Sequence, residues 1–378
     1  MKYQTVNQLF AYNCILSLFF FFSCSNSQRS ENTIYSYQLV QVDSFRVARE
    51  NRIRILDYNS KSEEFLAFDA ITNEFVQLDK SGEVLHAVVK FGEGPDEYNT
   101  SILAASFNHE NEGIFVQSSN EFIWYSGDWK VKERLQIPAY YTIKLYSGPK
   151  LGVPYFRLAN SSSPYFLTNF FSGIPVHNFE TKDGLSEQMM VEFYNPVKDS
   201  LEWTLRFDKQ YFSSTELKEK TINPKQIYAL NRETNLMYLT FQDSKTIGVY
   251  DMSKGFESIE TLNFEHQNFI PSNKSRNVTL LELGSDKLAL LYYSGMSEGD
   301  IHLKKDADSD YLFYQDPALF RLLILEKDGS GYQETTFPSD GEPHSEIVQL
   351  PGNRILIRKK DNPDIEQEYS DYLVFELK

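Results

Sequence analysis

The chain has 378 residues, a net charge of −16, 24 tyrosines and 29 phenylalanines. The acidic balance argues against a nucleic-acid partner and against electrostatic attachment to anionic lipids, because both need a basic surface. Tyr and Phe suit half-buried pleated strands, so the composition favours an all-β fold.

The first segment has the pattern of an export signal. Lys2 precedes an apolar run over residues 9–22, which is too short to span a bilayer, since spanning needs about 20 residues. Ser23 and Cys24 then resemble the lipobox of bacterial lipoproteins, in which the cysteine receives a diacylglyceryl group and the preceding peptide is removed. We expect residues 1–23 to be a lipoprotein signal peptide and Cys24 to be lipidated. A plain secretory signal and a signal-anchor helix are the alternatives.

The mature chain would retain Cys24 as its single cysteine, because Cys14 lies within the apolar run. A disulfide within one mature chain is then excluded, and stability must come from a packed core. Residues 24–32 are polar and predict a tether. The segment has no acidic run, so we expect a lipid-anchored protein of the outer membrane or of the envelope, facing the periplasm.

From residue 33 onward, short segments rich in aromatic and β-branched residues alternate with turn residues. One unit recurs: a strand, a polar turn, a strand, an Asp-x-x-Gly-like turn and a third strand. It occupies residues 65–91, 113–137 and 236–264 and, with an insertion, 288–337. Repetition of short strands at this spacing favours a β-propeller.

Two further units are less regular. One lies in residues 153–212, and the other, residues 355–378, ends after its second strand. Residues 33–43 belong to no unit and are predicted to supply the missing outer strand, which would close the ring. We therefore predict one six-bladed β-propeller domain over residues 33–378. Five blades with a middle insertion, or a β-sandwich array, are the alternatives. The helix candidate in the chain is residues 214–220.

The stretch KFGEGPDEYNT, residues 90–100, raises the question of a phosphate-binding loop. Such a loop needs a helix after its glycines, because the helix N-terminus binds the anion. Here Asp96 and Glu97 would repel a phosphate, and the next apolar run, residues 102–107, is too short for a helix. A nucleotide site is therefore not expected.

The same stretch resembles the G-x-G-P-x-E-Y motif of six-bladed β-propeller lipoproteins of Bacteroidetes-type bacteria, many of which are domains of unknown function. Asp96 stands where that family often has Gly. The resemblance implies the propeller fold over residues 34–378 and an envelope location, and it brings no catalytic residues. We expect a structural turn in which Gly94 can take a positive φ and the last two motif residues attach the loop to a neighbouring blade. The turn residues are Gly92, Gly94, Pro95, Glu97 and Tyr98.

Alternating carboxylates in KKDADSDY are similar to the start of a calcium loop; they are Asp306, Asp308 and Asp310. The EF-hand pattern fails, because Tyr311 and Pro317 occupy the positions that need Gly and Glu. An irregular calcium site that includes Glu298 or Asp300, or a solvated acidic loop that faces a partner, remain as interpretations. The six histidines form no paired metal motif, and no other cofactor is expected.

The sequence predicts a binding or scaffold module for a protein or glycan partner. The chain lacks a Gly-x-Ser-x-Gly motif, and its mature form would have no free cysteine nucleophile, so no catalytic residue is assigned. The alternatives are a hydrolase or lyase that uses carboxylates or calcium at the propeller axis, and a structural subunit of an envelope assembly.

Overall fold

The fold is an all-β propeller. The computed structural model describes residues 37–109, 112–136, 150–151, 155–156, 165–170, 189–195, 197–206, 226–231, 233–270, 274–343, 347–362, 365 and 367–378. Within these residues the chain forms 25 β-strands, one α-helix and three short 3-10 helices. The strands belong to six sheets that follow one another along the chain.

The first three sheets come from residues 53–206. The first contains β2 (Ile53–Asn59), β3 (Glu64–Asp69), β4 (Glu74–Leu78) and β5 (Val84–Val89). The second contains β6 (Ile102–Phe107), β7 (Ile114–Ser118), β8 (Glu121–Tyr125) and β9 (Val131–Gln136), with the short β10 (Lys150–Leu151) parallel to β6. The third contains β11 (Tyr155–Phe156), β12 (Tyr165–Phe170), β13 (Met189–Asn195) and β14 (Ser200–Arg206).

The other three sheets complete the propeller. The fourth contains β15 (Gln226–Asn231), β16 (Leu236–Phe241), β17 (Thr246–Asp251) and β18 (Glu257–Asn263). The fifth contains β19 (Arg276–Leu283), β20 (Lys287–Tyr293), β21 (Phe320–Glu326) and β22 (Tyr332–Thr336), and α1 (Glu298–Ala307) lies between β20 and β21. The sixth contains β23 (Val348–Leu350), β24 (Arg354–Arg358), β25 (Ser370–Leu377) and β1 (Leu39–Val47).

The strands β2, β6, β15, β19 and β23 lie on the side of their sheets that faces the central axis. This follows from their mutual packing, because β2 lies beside β6 and β23, and β19 lies beside β15 and β23. In the sixth sheet the outer strand is β1, which pairs antiparallel with β25, so that Leu39 faces Leu377 and Val47 faces Ser370. The N-terminal and C-terminal strands thus share one sheet.

Buried apolar side chains fill every space between consecutive sheets, including the space between the sixth and the first. Between the fifth and sixth sheets, for example, Leu291, Ile324 and Ile357 are buried together. Each such side chain stabilises the fold by about 1.5–3 kcal/mol relative to exposure. The third and fourth sheets meet through aromatic rings, and Phe156 lies 5.0 Å from Phe256 between ring centroids. The core therefore links the sheets in a closed ring.

The two ends of the propeller differ in the length of their connections. Because the strands of each sheet alternate in direction, the first-to-second and third-to-fourth connections lie at one end of the propeller. This end, the short-turn face, has tight turns such as residues 79–83 and 284–286. The opposite end, the long-loop face, carries the connections 90–101, 264–275, 294–319 and 337–347.

The predicted Asp-x-x-Gly turns lie on the short-turn face and are confirmed. Asp79 accepts hydrogen bonds from the backbone amides of Ser81 and Glu83 through Oδ1, and Gly82 has φ +89°. The turn after β17 repeats this arrangement with Gly255 at φ +74°. These turns fix the spacing between the third and fourth strands of a sheet along the chain.

The predicted propeller is confirmed. The three-strand unit of the sequence corresponds to the outer three strands of a sheet, and the inner strand was missed. The last unit corresponds to β24 and β25. Residues 1–36, which include the predicted signal, Cys24 and the tether, and the helix candidate 214–220 lie outside the described residues.

Candidate functional site

A network of charged side chains lies on the long-loop face, beside the inner strands. Glu342 precedes β23, Arg52 precedes β2, and Arg358 is the last residue of β24. Glu342 Oε2 accepts hydrogen bonds from Arg52 Nη2 at 2.6 Å and from Arg358 Nη1 at 2.7 Å. Arg358 Nη2 also binds Asp361. The network thus ties three connections of this face together.

Arg358 and Glu342 are the buried members of the network, with 4% and 7% of their surface exposed. Burial alone would lower the pKa of Arg358, but the carboxylates of Glu342 and Asp361 together outweigh this effect and the net shift is upward. Nε of Arg358 is buried and has no hydrogen-bond partner among the described residues. A buried ion pair of this kind fixes geometry, because removing one partner leaves an uncompensated buried charge. The network therefore positions the loops above it.

The longest described connection of this face is residues 294–319, between β20 and β21. It contains α1, which begins after Ser297, whose Oγ accepts a hydrogen bond from the amide of Asp300 at 3.1 Å. Lys304 and Lys305 lie in the last turn, where cations are favourable. The helix has no buried side chain, and Leu303 is 69% exposed. Its surface is open to a partner.

The C-terminal part of the insertion anchors it to the propeller. Phe313 packs against the core between the fifth and sixth sheets. Asp316 Oδ2 accepts a hydrogen bond from Tyr311 at 2.9 Å and pairs with Lys304 at 3.3 Å. Burial alone would raise the pKa of Asp316, but the hydrogen bonds from Tyr311 and from the amide of Ala318, together with Lys304, outweigh it and the pKa is lowered. The insertion is therefore held at one side while α1 stays exposed.

The three alternating carboxylates fall within this insertion. Asp306 lies in α1, so the expectation of an acidic loop there is wrong for its first residue. Asp308 follows the helix, and its Oδ1 accepts the amide of Asp310 at 3.0 Å in a local turn. All three are exposed. The described residues contain no group of three or more His, Cys, Asp or Glu that could hold a metal ion.

The G-x-G-P-x-E-Y stretch forms a compact loop between the first and second sheets. The amide of Gly92 donates to the carbonyl of Tyr98 at 2.9 Å, and the amide of Tyr98 donates to the carbonyl of Lys90 at 2.8 Å. Glu97 turns back over the loop, and its Oε2 accepts the amide of Gly94 at 2.6 Å. Tyr98 is 1% exposed and packs in the core between the two sheets.

The reason for the two glycines differs from the expected one. Neither Gly92 nor Gly94 has a left-handed φ. Instead, a Cβ at Gly92 would lie 2.1 Å from Glu97 Oε2, and one at Gly94 would lie 2.9 Å from the same atom. The glycines make room for the carboxylate that accepts the loop's own amide.

Side chains and backbone of the second sheet hold this loop in place. Asp96 Oδ1 accepts the amide of Val131 at 2.9 Å. Arg134 Nη2 donates to the carbonyl of Glu97 at 2.8 Å, and its Nη1 pairs with the buried Glu121 at 3.0 Å. The loop thus connects the first and second sheets through hydrogen bonds. Asp96 contributes a side-chain hydrogen bond that Gly at this position could not make.

A half-buried histidine lies where the connection 264–275 meets the fifth sheet. His266 Nε2 lies 2.7 Å from Asn277 Oδ1. The amide nitrogen of Asn277 donates to the carbonyls of Phe241 and Ser244, so its oxygen must accept a proton from His266. The histidine is therefore protonated on Nε2, and Nδ1 is buried with no partner among the described residues.

Aromatic rings surround this imidazole. The ring of Phe269 stacks on it at 4.4 Å, and that of Tyr292 meets it edge-on at 4.6 Å. Burial disfavours the charged imidazolium and lowers the pKa of His266 to about 4. His266 is thus a neutral structural residue at neutral pH.

A polar pair joins the first and second sheets on the short-turn face. Asp57 Oδ2 accepts the amide of Phe107 at 2.8 Å and lies 2.8 Å from His109 Nε2. Lys61 Nζ donates to the carbonyl of His109 at 2.9 Å. Because Asp57 also accepts a backbone amide, the pair connects β2 to β6.

Comparison with known proteins supports the fold. No protein-family model matches the chain, and no curated protein matches it. A member of the DUF4221 family from Bacteroides vulgatus ATCC 8482 is similar in structure, with 10% identity, a TM-score of 0.65, and 90% of this chain and 98% of that chain covered. A candidate exported protein from Bacteroides fragilis NCTC 9343 has 11% identity and a TM-score of 0.50, with 92% and 97% covered. At such identities the likeness shows the fold alone. None of the helices among the described residues is long and apolar enough to span a membrane.

Proposed function

We propose that this chain is an exported protein, lipid-anchored through Cys24, that binds a partner with the long-loop face of a six-bladed propeller. Each of the six sheets is taken as one blade. The lipobox-like pair of Ser23 and Cys24 supports export and anchoring. The likeness to a candidate exported protein of the same fold agrees with an envelope location.

The observation that carries the proposal is the exposed helix α1 on an anchored insertion. Ordering the backbone of a residue costs about 1–2 kcal/mol of conformational entropy. The residues of α1 do not offset this cost by packing in the core, because none of their side chains is buried. Long insertions on a rigid scaffold are a common place for binding residues. The buried network of Arg358 and Glu342 provides such a rigid base near the axis.

The exposed side chains of this face favour a protein partner. Ile71, Ile270, Leu303 and Leu312 are large apolar residues that lie exposed in its connections. A glycan is bound largely by stacking on aromatic rings, but Phe122, Tyr292 and Tyr293 are buried in the core, and Phe91 is a single exposed ring among the described residues of these connections. We therefore assign the face to a protein of the envelope and keep glycan binding as an outcome of the test.

Two matched substitutions test this function. Leu303 on the long-loop face and Val197 on the short-turn face are 69% and 68% exposed. We expect Leu303→Asp to lower recovery of the cross-linked protein partner from envelope extract about tenfold, the effect of losing about 1.4 kcal/mol at an interface. Val197→Asp should leave recovery unchanged. Circular dichroism should be the same for both.

Equal recovery with the two variants would contradict the assignment of the face. Glycosidase treatment of the extract tests the other kind of partner. If this treatment abolishes recovery and Leu303→Asp does not, the partner is a glycan.

A further inference from the structure

A polar cavity lies at the outer rim of the propeller, where the sixth sheet reaches the long-loop face. Its volume is about 440 Å³, within the range of about 300–1,000 Å³ that small-molecule sites occupy. None of its lining residues belongs to the insertion that carries α1. The cavity is therefore separate from the exposed helix on which the proposed protein partner depends.

Neighbouring backbone segments place the charged groups of this cavity side by side. Gly341 forms an antiparallel bridge with Lys359, whose amide donates to the carbonyl of Asp371 at 2.8 Å. Asp371 pairs in turn with Arg46 across β25 and β1. Asp340 directly precedes Gly341 and also lines the cavity. The sixth sheet thus brings two cations and two carboxylates to one cavity.

The guanidinium of Arg46 is held from two sides although the side chain is 56% exposed. Its Nε and Nη2 donate to the two carboxylate oxygens of Asp371 at 2.7 and 3.1 Å. The guanidinium carbon lies 3.6 Å from the ring centroid of Tyr369. Nη1 donates to none of the described residues. A fixed donor of this kind can bind a ligand with little further loss of side-chain entropy.

The other two charges of the cavity have no close partner in the described part of the chain. Lys359 forms no ion pair or side-chain hydrogen bond there, and neither does Asp340, which acts on Lys360 only at longer range. One cation and one carboxylate, besides Nη1 of Arg46, are thus available to a molecule that enters the cavity.

The balance of these charges selects the class of ligand. A simple anion would meet the carboxylates of Asp340 and Asp371 as well as the net charge of −16. A simple cation would meet Arg46 and Lys359. A zwitterion satisfies both signs, because charge-assisted hydrogen bonds can form to its carboxylate and to its ammonium group at the same time.

We propose that this cavity binds a small zwitterion of the amino-acid or dipeptide class, whose carboxylate is bound by Arg46 and Lys359 and whose ammonium group is bound by Asp340. The proposal goes beyond the protein partner assigned to the long-loop face and does not depend on it.

Ligand-observed saturation-transfer NMR tests the site in the full-length protein in detergent, with L-alanyl-L-alanine as the probe. We expect saturable binding to the wild type. Lys359→Met should weaken it about tenfold, the effect of losing one hydrogen bond to a charged group. Lys130→Met is the matched control, since Lys130 is 74% exposed in a turn of the second sheet, and it should leave binding unchanged.

Two analogues of the probe show whether each charge is recognised by the residue assigned to it. Alanyl-alanine amide lacks the carboxylate and should bind equally weakly to the wild type and to Lys359→Met. Asp340→Asn should weaken alanyl-alanine about tenfold and leave the binding of N-propanoyl-alanine, which lacks the ammonium group, unchanged. Absence of saturable binding to the wild type, an equal loss with Lys130→Met, or equal affinity of the wild type for the probe and both analogues would each overturn the proposal.

Discussion

Acidification should destabilise the protein through His266. Its pKa in the folded state is about 4, against the usual 6.5, because the neutral ring is buried among aromatic side chains. Between these two values the unfolded chain binds a proton at this histidine and the folded chain does not. The free energy of unfolding therefore falls as pH decreases from 6.5 to 4, and this residue contributes no change above or below that window.

The magnitude follows from the two pKa values. One pKa unit corresponds to 1.36 kcal/mol, so a shift from 6.5 to about 4 amounts to about 3 kcal/mol over the full window. At pH 4.5 about 2.5 kcal/mol of this has been lost relative to pH 7.5. Carboxylates also titrate in this range, so the histidine must be isolated by comparing variants.

The assay is urea denaturation at pH 7.5 and pH 4.5 for the wild type and for His266→Gln. Glutamine can still donate to Asn277, but it has no group that titrates. We expect the variant to lose about 2.5 kcal/mol less than the wild type between the two pH values. His302→Gln is the control, because His302 is exposed on α1, and it should behave as the wild type.

Equal pH dependence in the wild type and His266→Gln would refute this reasoning. An NMR titration of the histidine ring protons gives a second, independent measurement, in which one resonance should titrate near pH 4. A folded-state titration of His266 near 6.5 would equally contradict the burial argument.

Three further predictions concern the loop, the charge network and the anchor. Gly92→Ala should lower the free energy of unfolding by about 1–2 kcal/mol, because the added methyl group displaces the Glu97 carboxylate that accepts the amide of Gly94. Gly127→Ala, with open space around it, should lower the same free energy by less than about 0.5 kcal/mol in the same urea denaturation assay. Equal losses for the two variants would contradict the loop geometry. Arg358→Met should lower the free energy of unfolding by about 3–5 kcal/mol in thermal and urea unfolding, whereas Arg46→Met, which breaks an exposed ion pair, should leave it close to the wild-type value. A loss below about 1 kcal/mol for Arg358→Met would show that its network is dispensable. Cys24→Ala should move the protein from the membrane to the soluble fraction of fractionated cells, and retention in the membrane would refute lipidation.

The sequence was sufficient to predict the propeller because short turns of equal length join the third and fourth strands of several sheets, as residues 79–83 and 252–256 do. Asp79 and Gly82, and Asp251 and Gly255, mark equivalent turns in two sheets. The inner strands escaped the repeat because connections of unequal length precede them, such as residues 90–101 before β6. A repeat search depends on fixed spacing, so it finds the outer strands and misses the inner ones.

The helix α1 was missed for a related reason. Its residues, EGDIHLKKDA, have no apolar periodicity, because no side chain of the helix is buried. The local signals were present, since Ser297 caps the N-terminus and two lysines occupy the last turn. A sequence argument based on hydrophobic pattern alone does not find a helix that has no buried side chain.

The charge network could not be found from sequence. Arg52, Glu342 and Arg358 are brought together by closure of the ring between the first and sixth sheets, and no local pattern marks them. The loop of residues 92–98 was located correctly by its motif, but the part played by its glycines depends on where the side chain of Glu97 turns. Such contacts are properties of the folded chain.

Site-specific photo-crosslinking from the two faces tests the proposed function most directly. A photoreactive residue is placed at His302 on α1 or at Lys80 in the short-turn face, both exposed, and cells that produce the full-length protein are irradiated. We predict a discrete protein adduct from position 302 and none from position 80. Adducts from position 80 alone, or the same adducts from both positions, would contradict binding through the long-loop face.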